Sequence, residues 1–401
     1  MKISFFGHFG TANTGNESTL IAILARLRSI LPDAEFCCIC TYPQLVTLRN
    51  GIDAVPITTR TARLWDRGRP LYARLAMAPF GIALEFGQWI RAFRILKGSA
   101  MLVVPGTGLL TDAYAEDWRP YNVMKWSVAA RLRGCKILFV SVGAGPLYSR
   151  EGRLFVRSAL ALADYRSFRD RSSVSYLERI GFRDKRAQVY PDLAFSLQDD
   201  LLLRSSRPEE GRRRVVGLGL MEYAGRYSAE DPSAETSSEY LRALVDLAEW
   251  LLDRDYDVRL MLGDGDTPVV DNFTSLLTKR VGAYSPERVS YRQIDTVEEI
   301  LSAIAATDIV VATRFHNVLL SLLLNKPVIA ISFHHKCTSL MNEMGLSEYC
   351  HDIGHMNATK LIEQFQDLEK HSSEVKQTIR QSVEAQRRAL DEQYSLLFAG
   401  R

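Results

Sequence analysis

The run Thr313-Arg314-Phe315-His316-Asn317 puts a guanidinium and an imidazole two residues apart. Arginine's planar fork matches the two oxygens of a carboxylate or phosphate, and histidine is the side chain whose ordinary pKa lets it give and take a proton near neutrality. The apolar run Asp308-Ile309-Val310-Val311-Ala312 precedes the motif and another, Val318 to Leu324, follows it, so it falls where a strand ends and a helix begins. Helix starts carry oriented N–H groups and a partial positive charge. The pattern therefore offers an anion site with an acid/base beside it. The next apolar run, Pro327 to Ser332, ends at Phe333-His334-His335-Lys336 and brings a second cationic cluster out near the first.

Three glycine-bearing loops follow apolar runs in the first half of the chain. Gly7 to Glu17 contains Asn13-Thr14-Gly15-Asn16-Glu17, and Pro105-Gly106-Thr107-Gly108 and Gly143-Ala144-Gly145-Pro146 are the other two. The first is neither G-x-G-x-x-G nor a Walker loop, and it reads equally as an anion cradle or as a tight turn with an asparagine cap. Glycines in the other two allow close approach of a ligand or of a neighbouring loop. Arg169-Asp170 offers another guanidinium fork, with a local ion pair as the plainer reading. His351 and His355 have a metal-ligand spacing only if helical, and Gly354 between them argues against a helix. Gly263-Asp264-Gly265-Asp266 reads as a turn with a helix cap.

These residues need strands and helices to hold them. Strand-like runs at 2–6, 36–41, 100–105, 136–142, 187–190, 215–220, 257–262, 288–291, 308–312 and 327–332 alternate with helical patterns, as in parallel βαβ units. The charged stretch 198–214 is the expected hinge. The reading is α/β, with two Rossmann-like domains and a cleft between them: 1–200, 212–356, and a helical tail over 357–401. Ligands of such sheets sit beyond the carboxyl ends of the strands.

Composition narrows the function. With 50 Lys and Arg against 47 Asp and Glu, the net charge of +3 excludes a general nucleic-acid footprint. The apolar stretch Leu71 to Leu96 is broken by charges too often to span a membrane, and the N-terminus lacks a signal-peptide pattern, so a cytoplasmic location is expected. The six cysteines read as reduced core thiols. Segment 59–97 mixes arginines and Lys97 with bulky apolar residues. It reads either as a surface for anionic lipid or a lipid-linked substrate, or as a packed helix with a basic solvent face.

Taken in order, Asn13 to Glu17, Gly106/Gly108, Val142 to Pro146, Phe168-Arg169-Asp170, Pro191-Asp192-Leu193-Ala194-Phe195, Thr313 to Asn317, Lys326 to Ser332 and Lys336 resemble the polysaccharide pyruvyl transferase family. The resemblance covers roughly residues 1–345. It implies a fold similar to B-type glycosyltransferases, with the acceptor on the N-terminal side and the donor on the C-terminal side. It also implies transfer of a pyruvyl group from phosphoenolpyruvate to a sugar of a cell-surface or exopolysaccharide, or of its lipid-linked oligosaccharide precursor. His316 is then the catalytic acid/base. Arg314, Arg169 and Lys336 bind the donor, and Asn13, Gly15, Asn16, Glu17, Gly106, Gly108 and Gly143 line the substrate site. No cofactor or metal is implied beyond phosphoenolpyruvate as substrate. Nucleic acid is not an expected partner, and peripheral contact with the inner face of the membrane through 59–97 is. Where many relatives read Gly-Gly-Gly, this sequence has Gly106-Thr107-Gly108 after Pro105. A nucleotide-sugar glycosyltransferase on the same scaffold is the alternative, with Asp264 or Asp266 at a ribose.

Overall fold

The computed structural model describes residues 1–11, 13–59, 71–113, 118–204, 213–223, 234–261, 267–333 and 335–398. Expectations for Asp264, Asp266 and His334, and for parts of 59–97 and 198–214, lie outside them. The chain divides into two compact units. One comprises Met1–Thr11, Thr19–Leu193 and Gln393–Arg401, and the other Ala12–Ser18 and Ala194–Glu392. The division falls between Leu193 and Ala194, ahead of the charged stretch 198–214, which opens with a helix at Asp199–Arg204. Residues 357–392, expected as part of a separate tail, are counted with the second unit, and the chain returns to the first from Gln393.

The first unit is built on β1 (Lys2–Phe6), β2 (Glu35–Cys40), β3 (Asp53–Pro56), β4 (Ser99–Pro105), β5 (Lys136–Val142), β6 (Tyr165–Phe168) and β7 (Gln188–Val189). They form one parallel sheet in the order β3-β2-β1-β4-β5-β6-β7. Its middle strands are continuous apolar runs, as strands covered on both faces must be. Met101, Leu102, Val103 and Val104 of β4 are buried, as are Ile137 to Val140 of β5. Helices α1 (Thr14–Ile30), α2 (Pro43–Asn50), α3 (Leu71–Ile95), α4 (Arg119–Leu132), α5 (Arg150–Ala161) and α6 (Arg171–Arg179) connect them. Ala92 and Leu96 join Trp126, Ala129 and Ala130 of α4 in one core cluster with Leu102 and Phe139.

A polar clamp also joins α3 to α4. Lys125 Nζ, almost fully buried, donates to Glu85 Oε1 at 2.9 Å, and the Tyr121 hydroxyl donates to the same oxygen at 2.8 Å. Burial pushes the Lys125 ammonium below the usual lysine range.

After α7 (Asp199–Arg204), the second unit is built on β8 (Val215–Gly219), β9 (Asp257–Met261), β10 (Val289–Tyr291), β11 (Ile309–Ala312), β12 (Val328–Ser332) and β13 (Cys350–Asp352). They form a second parallel sheet in the order β10-β9-β8-β11-β12-β13. Its helices are α8 (Ala234–Asp253), α9 (Thr267–Val281), α10 (Val297–Ala305), α11 (Phe315–Leu323), α12 (His335–Glu343), α13 (Ala358–Lys370) and α14 (Ser372–Phe398). Thr296 and Glu299 form a reciprocal capping box at α10. In each sheet the strand order reverses once, between β1 and β4 and between β8 and β11, and a doubly wound fold binds ligands at that point.

The C-terminal end of α14, from the fully buried Gln393 onward, belongs to the first unit. Its Nε2 donates to Ser167 Oγ at 2.6 Å, and its Oε1 accepts from Ser141 Oγ at 3.2 Å. Ser141 sits where the register of β5 on β6 shifts, and it takes φ 51°. Gln393→Leu keeps the volume but strips both serines of a partner. It is expected to cost about 1–3 kcal/mol, read as a fall of several degrees in Tm by calorimetry.

Candidate functional site

The second unit's site begins with a strand that must stop at one point. Beyond β11, Thr313 is fully buried, and its N–H donates to Gly219 O at 3.1 Å. Thr313 Oγ1 shares a 2.8 Å hydrogen bond with Tyr240 Oη, which accepts the Met221 N–H at 3.2 Å. Contacts from β8 and α8 thus fix where the chain leaves the sheet. Arg314 follows in extended conformation (φ −77°, ψ 133°) as the cap of α11, with no side-chain capping bond. His316 stands in the first turn of α11, its ring edge-on to Phe315 at 5.0 Å between centroids. Arg314 and His316 therefore occupy the switch point of the sheet, where strand order and helix dipole favour an anion.

The seat of the imidazole comes from the other end of the sequence. A Cβ placed on Gly15 would lie 2.0 Å from His316 Nδ1 and 2.2 Å from Cε1, so only glycine lets the first turn of α1 lie against this ring. Both residues belong to the second unit. Asn13 caps the turn: its Oδ1 accepts the Asn16 N–H at 2.9 Å and its carbonyl accepts the Glu17 N–H at 3.1 Å. Glu17 is buried. The capping alternative for this loop is therefore realised, and it shapes the turn that receives His316.

Lys336 is half-buried in the first turn of α12, after β12, and β12 pairs with β11, so its helix starts at the same sheet edge as α11. At that edge Tyr223, past the end of β8, meets Phe333, past the end of β12, at 6.4 Å and 67°. Sequence reasoning missed this pair; the available signal was that each follows a strand's carboxyl end. It also missed Tyr240, which nothing local marks.

In the first unit the Gly106, Gly143 and Gly145 loops follow the neighbouring strands β4 and β5 and are knitted together. Leu110 bridges Ala144, the Gly145 N–H donates to Leu110 O at 2.8 Å, and Thr111 Oγ1 donates to Pro146 O at 2.7 Å. A Cβ on Gly106 would meet Ser141 O at 3.2 Å, whereas one on Gly108 would meet nothing within 4 Å. A side chain at 106 would therefore be crowded against β5, whereas one at 108 would not.

Gly143 lies under the Arg169 guanidinium, which a Cβ would approach to 2.9 Å. Arg169, nearly buried, donates through Nη1 to Asp192 Oδ2 at 2.9 Å, and its Nε stands 3.8 Å from Asp170 Oδ2. Burial alone would raise the Asp170 carboxyl, but the Arg169 charge and donors from Ser172 and Ser173 outweigh it and hold it below the usual carboxylate range. Asp170 also caps α6 through the Ser173 N–H at 2.6 Å. The ion-pair reading of Arg169-Asp170 is thus present in the structure.

The His351/His355 spacing is not helical: His351 lies in β13, and His355 Nδ1 pairs with Asp352 Oδ2 at 3.0 Å in a following 3-10 turn. All six cysteines are free thiols, five of them buried.

Two parallel doubly wound sheets, the second with a basic fork and an imidazole at its switch point, make a two-domain α/β fold similar to that of B-type glycosyltransferases. Among solved structures, the UDP-GlcNAc 2-epimerase of Neisseria meningitidis superposes with a TM-score of 0.56 at 11% identity, covering 94% of each chain. MurG of Acinetobacter baumannii gives 0.53 at 12% identity, covering 98% of each. Residues 13–335 match the family model for polysaccharide pyruvyl transferase, and the chain belongs to that family. It is also 19% identical, over 96% of both chains, to the amylovoran biosynthesis protein AmsJ of Erwinia amylovora.

Proposed function

We propose that this protein transfers the pyruvyl group of phosphoenolpyruvate to two hydroxyls of one sugar, forming a pyruvate ketal during extracellular polysaccharide biosynthesis. The family match and the likeness to AmsJ support the pathway class. The observation that carries the chemistry is Arg314 and His316 together at the switch point of the second sheet, with the helix of Lys336 starting at the same edge.

The donor brings a carboxylate and a phosphate. Arg314 meets one of them through its fork and Lys336 supplies a second positive charge. Arg169 belongs to the first unit, where its Nη1 is committed to Asp192. His316 gives a proton to the CH2 carbon of the enol, which becomes a methyl group. The cationic C2 is attacked by a sugar hydroxyl, whose proton returns to the imidazole. The C2–O bond to phosphate then breaks, phosphate leaves, and the second hydroxyl closes the ketal as its proton goes to phosphate. The Tyr223–Phe333 pair offers an apolar surface at the same edge for the vinyl group or a sugar face.

Purified protein incubated with phosphoenolpyruvate and, separately, with a panel of nucleotide sugars distinguishes this reading from the glycosyltransferase alternative. Thermal stabilisation by phosphoenolpyruvate and acceptor-dependent phosphate release are expected. Stabilisation by nucleotide sugars alone would overturn the proposal. Arg314→Lys keeps the charge but loses the fork, and it is expected to raise the donor KM by about 10–100-fold with little change in kcat. An unchanged donor KM would remove Arg314 from the donor site.

A further inference from the structure

We propose that the outer face of α3 docks the first unit onto an anionic membrane surface. Ile82, Phe86, Ile90 and Phe93 follow one another at intervals of four, four and three residues, which places them in a single stripe along the helix. Ile82 is 63% exposed and Phe86 67%, and Ile90 and Phe93 are each 37% exposed. The inner side of the helix packs on the unit. Gln88, Ala92 and Leu96 are buried there, and Gln88 Nε2 donates to Thr59 O at 3.0 Å and to Thr59 Oγ1 at 2.7 Å. The stripe is therefore not an unfilled part of the core; it stands on a helix already anchored on its inner side.

Charge selects the occupant. The acidic residue of α3, Glu85, is turned inward, where it accepts from Lys125 and Tyr121. Exposed Arg94 and Lys97 close the C-terminal end of the stripe. Arg133, at the end of α4, lays its guanidinium 3.5 Å from the Phe93 ring centroid and donates from Nε to Phe93 O at 2.6 Å. The adjoining Leu132 is 69% exposed. The side chains described around the stripe are thus aromatic, aliphatic and cationic. That is the composition of an interfacial helix, whose apolar side enters the headgroup boundary while its cations meet lipid phosphates. A second copy of the chain fits less well, because stacking two such faces opposes like charges.

Docking of this kind does not depend on the proposed pyruvyl transfer. The full chain is mixed with sedimentable vesicles of phosphatidylcholine alone or of phosphatidylcholine with phosphatidylglycerol. Co-sedimentation with the anionic vesicles at low salt, weakened by added salt, is expected. Phe86→Ser/Ile90→Ser should lower the bound fraction roughly tenfold, and Arg94→Glu/Lys97→Glu should abolish the preference for anionic lipid. Both variants change exposed side chains, so wild-type melting temperatures and wild-type turnover on a soluble sugar acceptor are expected. Absence of wild-type binding, or binding unchanged in both variants, would overturn the proposal. A wild-type dimer in light scattering that Phe86→Ser/Ile90→Ser converts to monomer would assign the face to a second copy instead.

Discussion

His316→Ala is expected to lower ketal formation by about 10²–10⁴-fold, the usual worth of a positioned acid/base. Thermal stabilisation by phosphoenolpyruvate should survive, because the anion contacts proposed for Arg314 and Lys336 do not pass through the imidazole. The fold should survive as well, since the ring is half-buried and faces a glycine. In heavy water the wild-type ketal should carry one deuterium in its methyl group, reporting the protonation of the enol carbon. Near-wild-type turnover in the variant would end the assignment of His316 as the acid/base.

Gly15→Ala tests the seat of that ring. The new methyl would begin 2.0 Å from Nδ1, far inside the 3.5–4.0 Å of an ordinary heavy-atom contact. The turn is held by the Asn13 cap, so the imidazole is the part that must yield. Displacement of about 1 Å at a reacting group costs on the order of 10²-fold in rate, and overpacking adds about 1–3 kcal/mol of destabilisation. The two effects separate in a double-mutant cycle. Gly15→Ala on the His316→Ala background should restore stability, because the clashing ring is gone, and the two changes should be strongly non-additive. Wild-type rate and melting temperature in Gly15→Ala alone would show that the ring does not depend on this glycine.

The strands that carry the site were plain in the sequence. β4, β5, β11 and β12 are largely apolar runs ending at Gly, Pro, Thr or Ser, and they lie where those runs place them. The short strands β7 and β10 fall within expected runs, but β3, β6 and β13 were not legible, for local reasons. β3 is only four residues long and ends in Pro56, and β13 is a three-residue strand from Cys350 to Asp352. β6 contains Arg166, whose charge is absorbed by Asp184 at 2.5 Å from a distant loop. The Arg314/His316 motif was readable because strand, cap and helix are contiguous. The glycines were flagged, but not sorted into Gly15, where a side chain would overlap His316, Gly106 and Gly143, where it would be crowded, and Gly108, where it would meet nothing.

The sequence by itself determined the α/β alternation, the family-bearing order of motifs and the pairing of a guanidinium with an imidazole at 314–316. Periodicity and capping are local properties, and each is set within a dozen residues. Tertiary structure alone decided strand order, which sets β11 between β8 and β12 and so pins Thr313 through Gly219 and Tyr240. It alone laid Gly15 against His316, and it alone turned Glu85 inward to leave α3 with an apolar and cationic outer face. These outcomes depend on which faces of distant elements meet, and the packing of the whole core settles that choice where local patterns cannot.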